Sequence, residues 1–371
     1  MPTMTVFPLG NADSYRLDLA GGEKMLFDYA NMRDPQDPND KRIDLEGVLR
    51  ADLRATGRTY FDVVAFTHLD DDHIHGATDF FELWHAQKYQ GGERIQIKEL
   101  WVPAAAIVEQ GIHNEDSILR AEARHRLIKG KGIRVFSRPD SLKEWLNGQG
   151  ISLEDRKHLI TNAGEVVTTF NPQQHGVEFF AHSPFAEHAQ DGALVDRNKG
   201  SLVLHATFTC AGYPTYVFLG ADITYEPLSA IIRITKYHGR EERLLWNVVK
   251  IPHHCSYKSL GLEQGAVITV PDPDVAWLYE EQGYPKGILV STSKPIPSND
   301  DDKQPPHRQA AAYYSQQAAR LQGDFLVTME HPDQTRPAPL VITIDHLGAT
   351  VKKPGLSGSV AVTSVQSPRA G

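Results

Sequence analysis

The sequence predicts an α/β protein, and three observations carry that prediction. Short apolar, β-branched runs recur about a dozen times and end in small or polar residues. They are MTVFPLG, EKMLFDY, FDVVAFTH, IKELWVPA, GIRVFSR, VEFFAHS, GSLVLHATF, TYVFLGAD, NVVKIPHH, GILVSTS, DFLVTME and PLVITID. Helical stretches separate some of them, and runs such as Val63–Phe66 are apolar throughout, as strands of a buried sheet are. Helices are expected after Asp72 (HIHGATDFFELWHAQKY), over about Asn114–Lys129 and over about Pro306–Leu321, where prolines precede alanine-rich helix formers. Asp34–Lys41 and Ser298–Pro306 read as polar connectors. No repeat or composition shift divides the chain, so one domain is expected over 1–350, with a flexible Gly/Ser/Pro-rich tail over 351–371.

With 371 residues, 40% hydrophobic and 23% charged, the chain has the composition of a soluble globular protein rather than a disordered one. No run approaches the roughly 20 apolar residues of a membrane helix, so no membrane insertion is expected. The start, MPTMTVFPLG, has no basic region followed by an apolar one, and two cysteines make no disulfide framework. A cytoplasmic location follows as the expectation. The net charge of −9 argues against a general nucleic-acid coat but admits an anionic small-molecule or nucleic-acid substrate bound locally. The 17 histidines pose the question of where they cluster.

FDVVAFTHLDDDHIHG places His68, Asp70, Asp72 and His73 just past an apolar strand, where α/β proteins build ligand sites. A strand-to-helix loop can aim all four side chains into one space, and imidazole with carboxylate suits Zn, Mn or Fe. TYVFLGAD ends at Asp222, and LLWNVVKIPHHCS at His253 and His254. Singly, these read as a turn or capping aspartate and a strand-end histidine bonded to backbone. Three apolar strands each ending in metal-ligand residues together point to a metal site. His85, His113, His125, His158, His205 and His238 read as structural or surface residues. Cys210 and Cys255 read as small core hydrophobes, Cys255 being the one beside the histidine pair.

These motifs resemble the metallo-β-lactamase fold, and within it the branch of ComEC-like hydrolase domains, whose motif THxDxDHxxG matches Thr67–Gly76. FPLGNADSYRLDL and the strand ending in Asp28 resemble its opening hairpin; NKGSLVLHATF, VFLGAD, VVKIPHHCS and PPHRQAAAYY resemble later elements, with Cys255 in place of a glycine. The resemblance spans roughly Thr5 to Ile344, with an enlarged middle over about 101–176. It implies an αββα sandwich of two mixed β-sheets flanked by helices. It implies one or two divalent ions, Zn or Mn: His68 and Asp70 on the first, Asp72, His73 and His253 on the second, Asp222 bridging. His254 and Asn198 would stand behind these ligands, and His307 would protonate a leaving group or hold a phosphate oxygen. The family's further histidine has no clear counterpart, and His182, His188 and Asn198 are the candidates.

The activity implied is hydrolysis by a metal-activated water, with Asp72 orienting the nucleophile, on a phosphodiester or phosphate ester of nucleic-acid or nucleotide type. The alternative is a catalytically weakened metal-binding sensor or partner-binding protein on the same fold.

Overall fold

The computed structural model describes residues 1–111, 113–186 and 197–353. In chain order the strands are β1 (Thr3–Val6), β2 (Tyr15–Asp18), β3 (Lys24–Phe27), β4 (Tyr60–Ala65), β5 (Gln96–Pro103), β6 (Ile133–Phe136) and β7 (Ile160–Thr161). There follow β8 (Val177–Ser183), β9 (Val203–Cys210), β10 (Tyr213–Leu219), β11 (Trp246–Lys250), β12 (Gly283–Ser291) and β13 (Asp324–Val327), then β14 (Leu340–Asp345) and β15 (Gly348–Val351). All twelve apolar runs of the sequence lie on strands; β2, β7 and β15, short or polar, are the additions.

One sheet has the order β15-β14-β1-β2-β3-β4-β5-β6-β7 and the other β13-β12-β11-β10-β9-β8. Each is antiparallel in one part and parallel in the other: β3 to β7 run parallel, as do β10 to β13. Side-chain alternation then sorts the strands' apolar residues onto two faces. On β10, β11 and β12, Val217, Val248 and Ile288 point to the other sheet, meeting Met25, Phe27, Val63 and Ala65. Their neighbours Phe218, Val249 and Leu289 point outward instead, under α8 (Tyr225–Tyr237), α9 (Pro273–Glu281) and α10 (Arg308–Arg320). The outer face of the first sheet is covered likewise by α1 (Leu45–Ala55), α5 (Glu115–Lys129) and α6 (Asp140–Gly148). The result is four layers, helices–sheet–sheet–helices, the αββα sandwich the resemblance implies.

The helix expected after Asp72 is a correction. Two single turns stand there, α2 (Asp71–Ile74) and α3 (Ala77–Phe80), separated by Gly76 in the left-handed region (φ 80°). The break lets Tyr29 receive the turn: its amide donates to His73 O (2.9 Å) and its ring stacks on Phe80 at 4.6 Å. The other two expected helices stand as α5 and α10, and a single turn, α7 (Pro172–His175), leads into β8. The expected tail begins inside β15 at Val351, and from 354 it lies outside the described residues. Among the described residues no helix is long and apolar enough to cross a membrane.

The parallel edge of the first sheet hangs on a buried ion pair. Arg126 of α5 donates from Nε to Glu122 Oε1 (2.5 Å) and from Nη1 to the carbonyls of Ile97 (3.0 Å) and Gly132 (2.9 Å), with its guanidinium 3.8 Å from the centre of the Trp84 ring. Glu122 also accepts from the His85 amide. A charge buried with its partner removed costs about 3–5 kcal/mol. We therefore expect Arg126→Met to lower the unfolding free energy by about that amount. Glu122→Leu/Arg126→Met should recover most of it, because no uncompensated charge remains. Urea unfolding of the single and double variants checks this.

Candidate metal centre

Four strand ends deliver the site. The apolar runs of β3, β4, β10 and β11 end in sequence at Asp28, at Thr67–His68, at Asp222 and at His253–His254, and these ends meet between the two sheets. Asp72, His73, Asp222 and His254 come together with one ligand atom each, all within 4.8 Å of one another. His254 Nε2 lies 3.2 Å from Asp72 Oδ2 and 3.2 Å from Asp222 Oδ2, and His73 Nε2 lies 3.5 Å from Asp222 Oδ1.

Both rings are aimed from behind. Asp28, fully buried, accepts from the Thr67 amide (2.7 Å), Thr67 Oγ1 (2.8 Å) and His73 Nδ1 (2.9 Å). The Thr292 carbonyl accepts from His254 Nδ1 (2.7 Å). Since a carboxylate and a carbonyl can only accept, Nδ1 carries the proton on each ring and Nε2 faces the cluster. His73 Nε2 and Asp222 Oδ1 are buried with no hydrogen-bond partner. Buried polar atoms without partners are rare, and here they point into one space among imidazoles and carboxylates, a donor set that suits a divalent transition metal.

The charge balance is tight. Burial works against the charged form of Asp222, yet the rings of His254 and His73 hold its carboxyl well below the usual carboxylate range; Asp72 is lowered too. Reciprocally, burial is outweighed by Asp28, Asp222 and Asp72 in raising His73, and by Asp222 and Asp72 in pushing His254 up to about 10. Beneath the cluster, fully buried Lys250 pairs with Asp13, donates to the Ala221 carbonyl (3.0 Å) and sits 3.6 Å from Asp222 Oδ1. Asp13 and Lys250 were not singled out by the sequence reading. The signal was a lysine closing an otherwise apolar strand.

The backbone just past β11 decides which histidine enters. His253, His254 and Cys255 lie consecutively in the left-handed region (φ 52°, 51° and 63°). That turn swings the His254 ring into the cluster, where the resemblance puts His253. The His253 ring sits outside the four-residue cluster, its pKa lowered by burial. Cys255, where the family has glycine, carries a left-handed backbone at a cost of about 1–2 kcal/mol and buries its side chain in the core under the outer helices. Gly220 is required by contact: a Cβ there would lie 2.6 Å from Pro252 Cγ and 2.9 Å from Lys250 O, forcing apart the two loops that carry Asp222 and His254.

The remaining candidates separate. His68 packs against His73 (ring centres 3.8 Å) with Nε2 3.4 Å from Asp70 Oδ2. Asp70 in turn is held well below the usual carboxylate range by His68 and Arg197, against the effect of burial. His307 caps α10; its amide donates to Cys255 O (3.1 Å) and its ring packs edge-on to Tyr257, outside the cluster. Asn198 lies in the turn before β9, its Oδ1 buried without a hydrogen-bond partner. His188 lies outside the described residues. His182 lies outside the cluster: it is buried on β8, bonds the Arg243 carbonyl (2.9 Å) and helps line a separate cavity of about 330 Å³.

No family model matches the chain, and no curated protein does. Among solved structures it is similar to a diphosphatase of the PhnP family (12% identity, 91% of this chain and 93% of that one, TM-score 0.34). It is also similar to unliganded yeast PDE1 (11% identity, 88% and 97%, TM-score 0.42). A third likeness is to the metallo-β-lactamase SMB-1 in complex with mercaptoacetic acid (13% identity, 68% and 79%, TM-score 0.29).

Two buried histidines outside the centre set a pH dependence. Burial lowers His182 to about 4 and His205, bonded to the Leu245 carbonyl, to about 3. Both stay neutral in the folded chain while the unfolded chain takes up protons below about 6.5. Their contribution is therefore complete above about 6.5 and is lost as pH falls toward 4, each at about 1 kcal/mol per pH unit. Thermal unfolding from pH 7 to pH 5 should show a falling midpoint in the native chain and a flatter profile in His182→Asn/His205→Gln. Parallel profiles would refute this.

Proposed function

We propose that the protein is a metal-dependent hydrolase acting through a metal-activated water on a phosphodiester or phosphate ester, with a nucleotide-type or other anionic substrate. The observation that carries the metal-dependent part is the convergence of buried, unpartnered His73 Nε2 and Asp222 Oδ1 with Asp72 and His254 at the carboxyl ends of strands from both sheets. The phosphate-ester part is supported by the resemblance of Thr67–Gly76 and the later motifs to the ComEC-like branch. Zn and Mn both suit a set of two imidazoles and two carboxylates.

A divalent cation bound there supplies Lewis-acid charge and water acidified toward neutral pH. The chain's own residues do the rest. His73 and His254 are fixed in one tautomer by Asp28 and the Thr292 carbonyl, so neither needs to reorient during turnover. Asp222 is buried and kept ionised. Asp72, with about a third of its side chain exposed (35%), is the member of the cluster that solvent reaches. Its carboxylate is ionised, so it can orient a water molecule, the role assigned to it from the sequence. Lys250 keeps a positive charge under the site, offsetting carboxylate repulsion before an anionic substrate enters.

Metal-supplemented protein is expected to hydrolyse bis(p-nitrophenyl) phosphate and to lose activity with chelator. Asp72→Ala should lower turnover by about 10²–10⁴-fold. Asp28→Asn, which leaves every ligand in place, should weaken metal binding by about 10–100-fold. Exposed His238→Ala should change neither. Metal binding without turnover on a panel of phosphodiesters, phosphomonoesters and carboxylic esters would refute the hydrolase reading and favour the sensor alternative.

A further inference from the structure

The centre has two halves, and they are built differently. Asp72, His73, Asp222 and His254 bring four ligand atoms together. On the other side His68 and Asp70 approach to 3.4 Å, and among the described residues no third His, Cys, Asp or Glu brings a ligand atom within 4.8 Å of both. What meets Asp70 is a cation of the chain itself. Arg197 Nη1 donates to Asp70 Oδ1 (2.9 Å) and to the Leu69 carbonyl (2.8 Å). Its Nε donates to both oxygens of Glu109 (2.9 and 3.1 Å), and its Nη2 to Asp116 Oδ2 (2.8 Å). Four of the guanidinium's five N–H groups are thereby engaged, which fixes its plane against Asp70.

We infer that the chain holds one divalent cation tightly, at Asp72–His73–Asp222–His254, and that Arg197 takes the place of a second ion beside Asp70. The inference rests on the metal-centre reading above and specifies its stoichiometry. Two protein ligands are fewer than the three that an open catalytic site supplies or the four of a closed one. The positive charge beside them is permanent, because an arginine in a protein does not give up its proton to make room for a metal as histidine or lysine can. Arg197 also belongs to the architecture: Glu109 is buried at the end of α4 (Ala105–Val108) and Asp116 opens α5, so one guanidinium ties the first helical layer to the metal-binding loop.

The test is metal content by elemental analysis after exhaustive dialysis, together with calorimetric titration of Zn and of Mn into the full chain. One equivalent per chain is expected. Asp70→Asn should keep that equivalent with affinity changed by less than the roughly tenfold loss that damage to a ligand's support brings. Asp222→Asn should lose it. Arg197→Gln, which removes the charge, should gain a second, weaker equivalent, and failure to gain it in folded protein would overturn the role given to Arg197. If that variant does not fold, Asp70→Asn decides alone. Two tight equivalents in the native chain, falling to one in Asp70→Asn, would overturn the inference and leave the hydrolase reading intact. No bound metal in the native chain would instead sink the metal centre itself.

Discussion

Negative charge held out of water is the constraint on which the rest of this structure depends. Asp13, Asp28 and Asp222 are buried between the two sheets, and Asp72 is two-thirds covered beside them. Unpaired carboxylates in such a place would cost several kcal/mol each. The fold meets that cost with the Lys250 ammonium on Asp13 and beside Asp222 and with donors to Asp28 from Thr67 and His73 Nδ1, and it sets the Nε2 atoms of His73 and His254 against Asp222 and Asp72, where a bound cation would supply the remaining charge. The arrangement binds the halves of the molecule together, because Asp13, Asp28 and Asp72 come with the first sheet while Asp222, Lys250 and His254 come with the second. The formal charge of −9 therefore overstates how repulsive the site is to an anion.

Backbone strain is concentrated at the same place. Asp28, Ala221, His253, His254 and Cys255 all have φ between 45° and 63°, in the left-handed region. Non-glycine residues there cost energy and persist where surrounding contacts over-determine them. Those contacts are visible: the Asp28 amide donates to Ala65 O (2.7 Å), and the His253 amide to Ala221 O (3.1 Å), joining two strained loops directly. Gly220 permits that approach.

This division explains what the sequence disclosed. The strands were legible because a sheet covered on both faces needs unbroken apolar runs, and only the short or polar β2, β7 and β15 lacked them. The metal-ligand types were legible because each sits immediately after such a run. The choice between His253 and His254 was not, because a strand's side-chain alternation does not survive a left-handed turn. The helix after Asp72 was overestimated for a related reason: its apolar residues are used by two separate turns that pack on Tyr29 and the α5 side. Asp13 and Lys250 lie inside the motifs FPLGNADSYRLDL and VVKIPHHCS, but neither motif, nor the position of Arg197, shows what these residues pair with. Their meaning lies in distant pairings, Arg197 with Asp116 and Asp70 at 81 and 127 residues and Lys250 with Asp13 at 237, which spacing cannot show.

A site assembled this way is available only to the docked molecule. In a separated first sheet, Asp72 and His73 would be two ligands; in a separated second sheet, Asp222 and His254 would be two. Only the closed sandwich offers four, so a cation bound there would bind the native state and add to its stability by mass action. The same logic separates the two halves of the centre. His68 and Asp70 come from a single loop, among the described residues they belong to no group of three ligand atoms within 4.8 Å, and the partner the fold supplies to Asp70 is Arg197. Sheet docking thus builds one strong site and fills the neighbouring position with the chain's own positive charge.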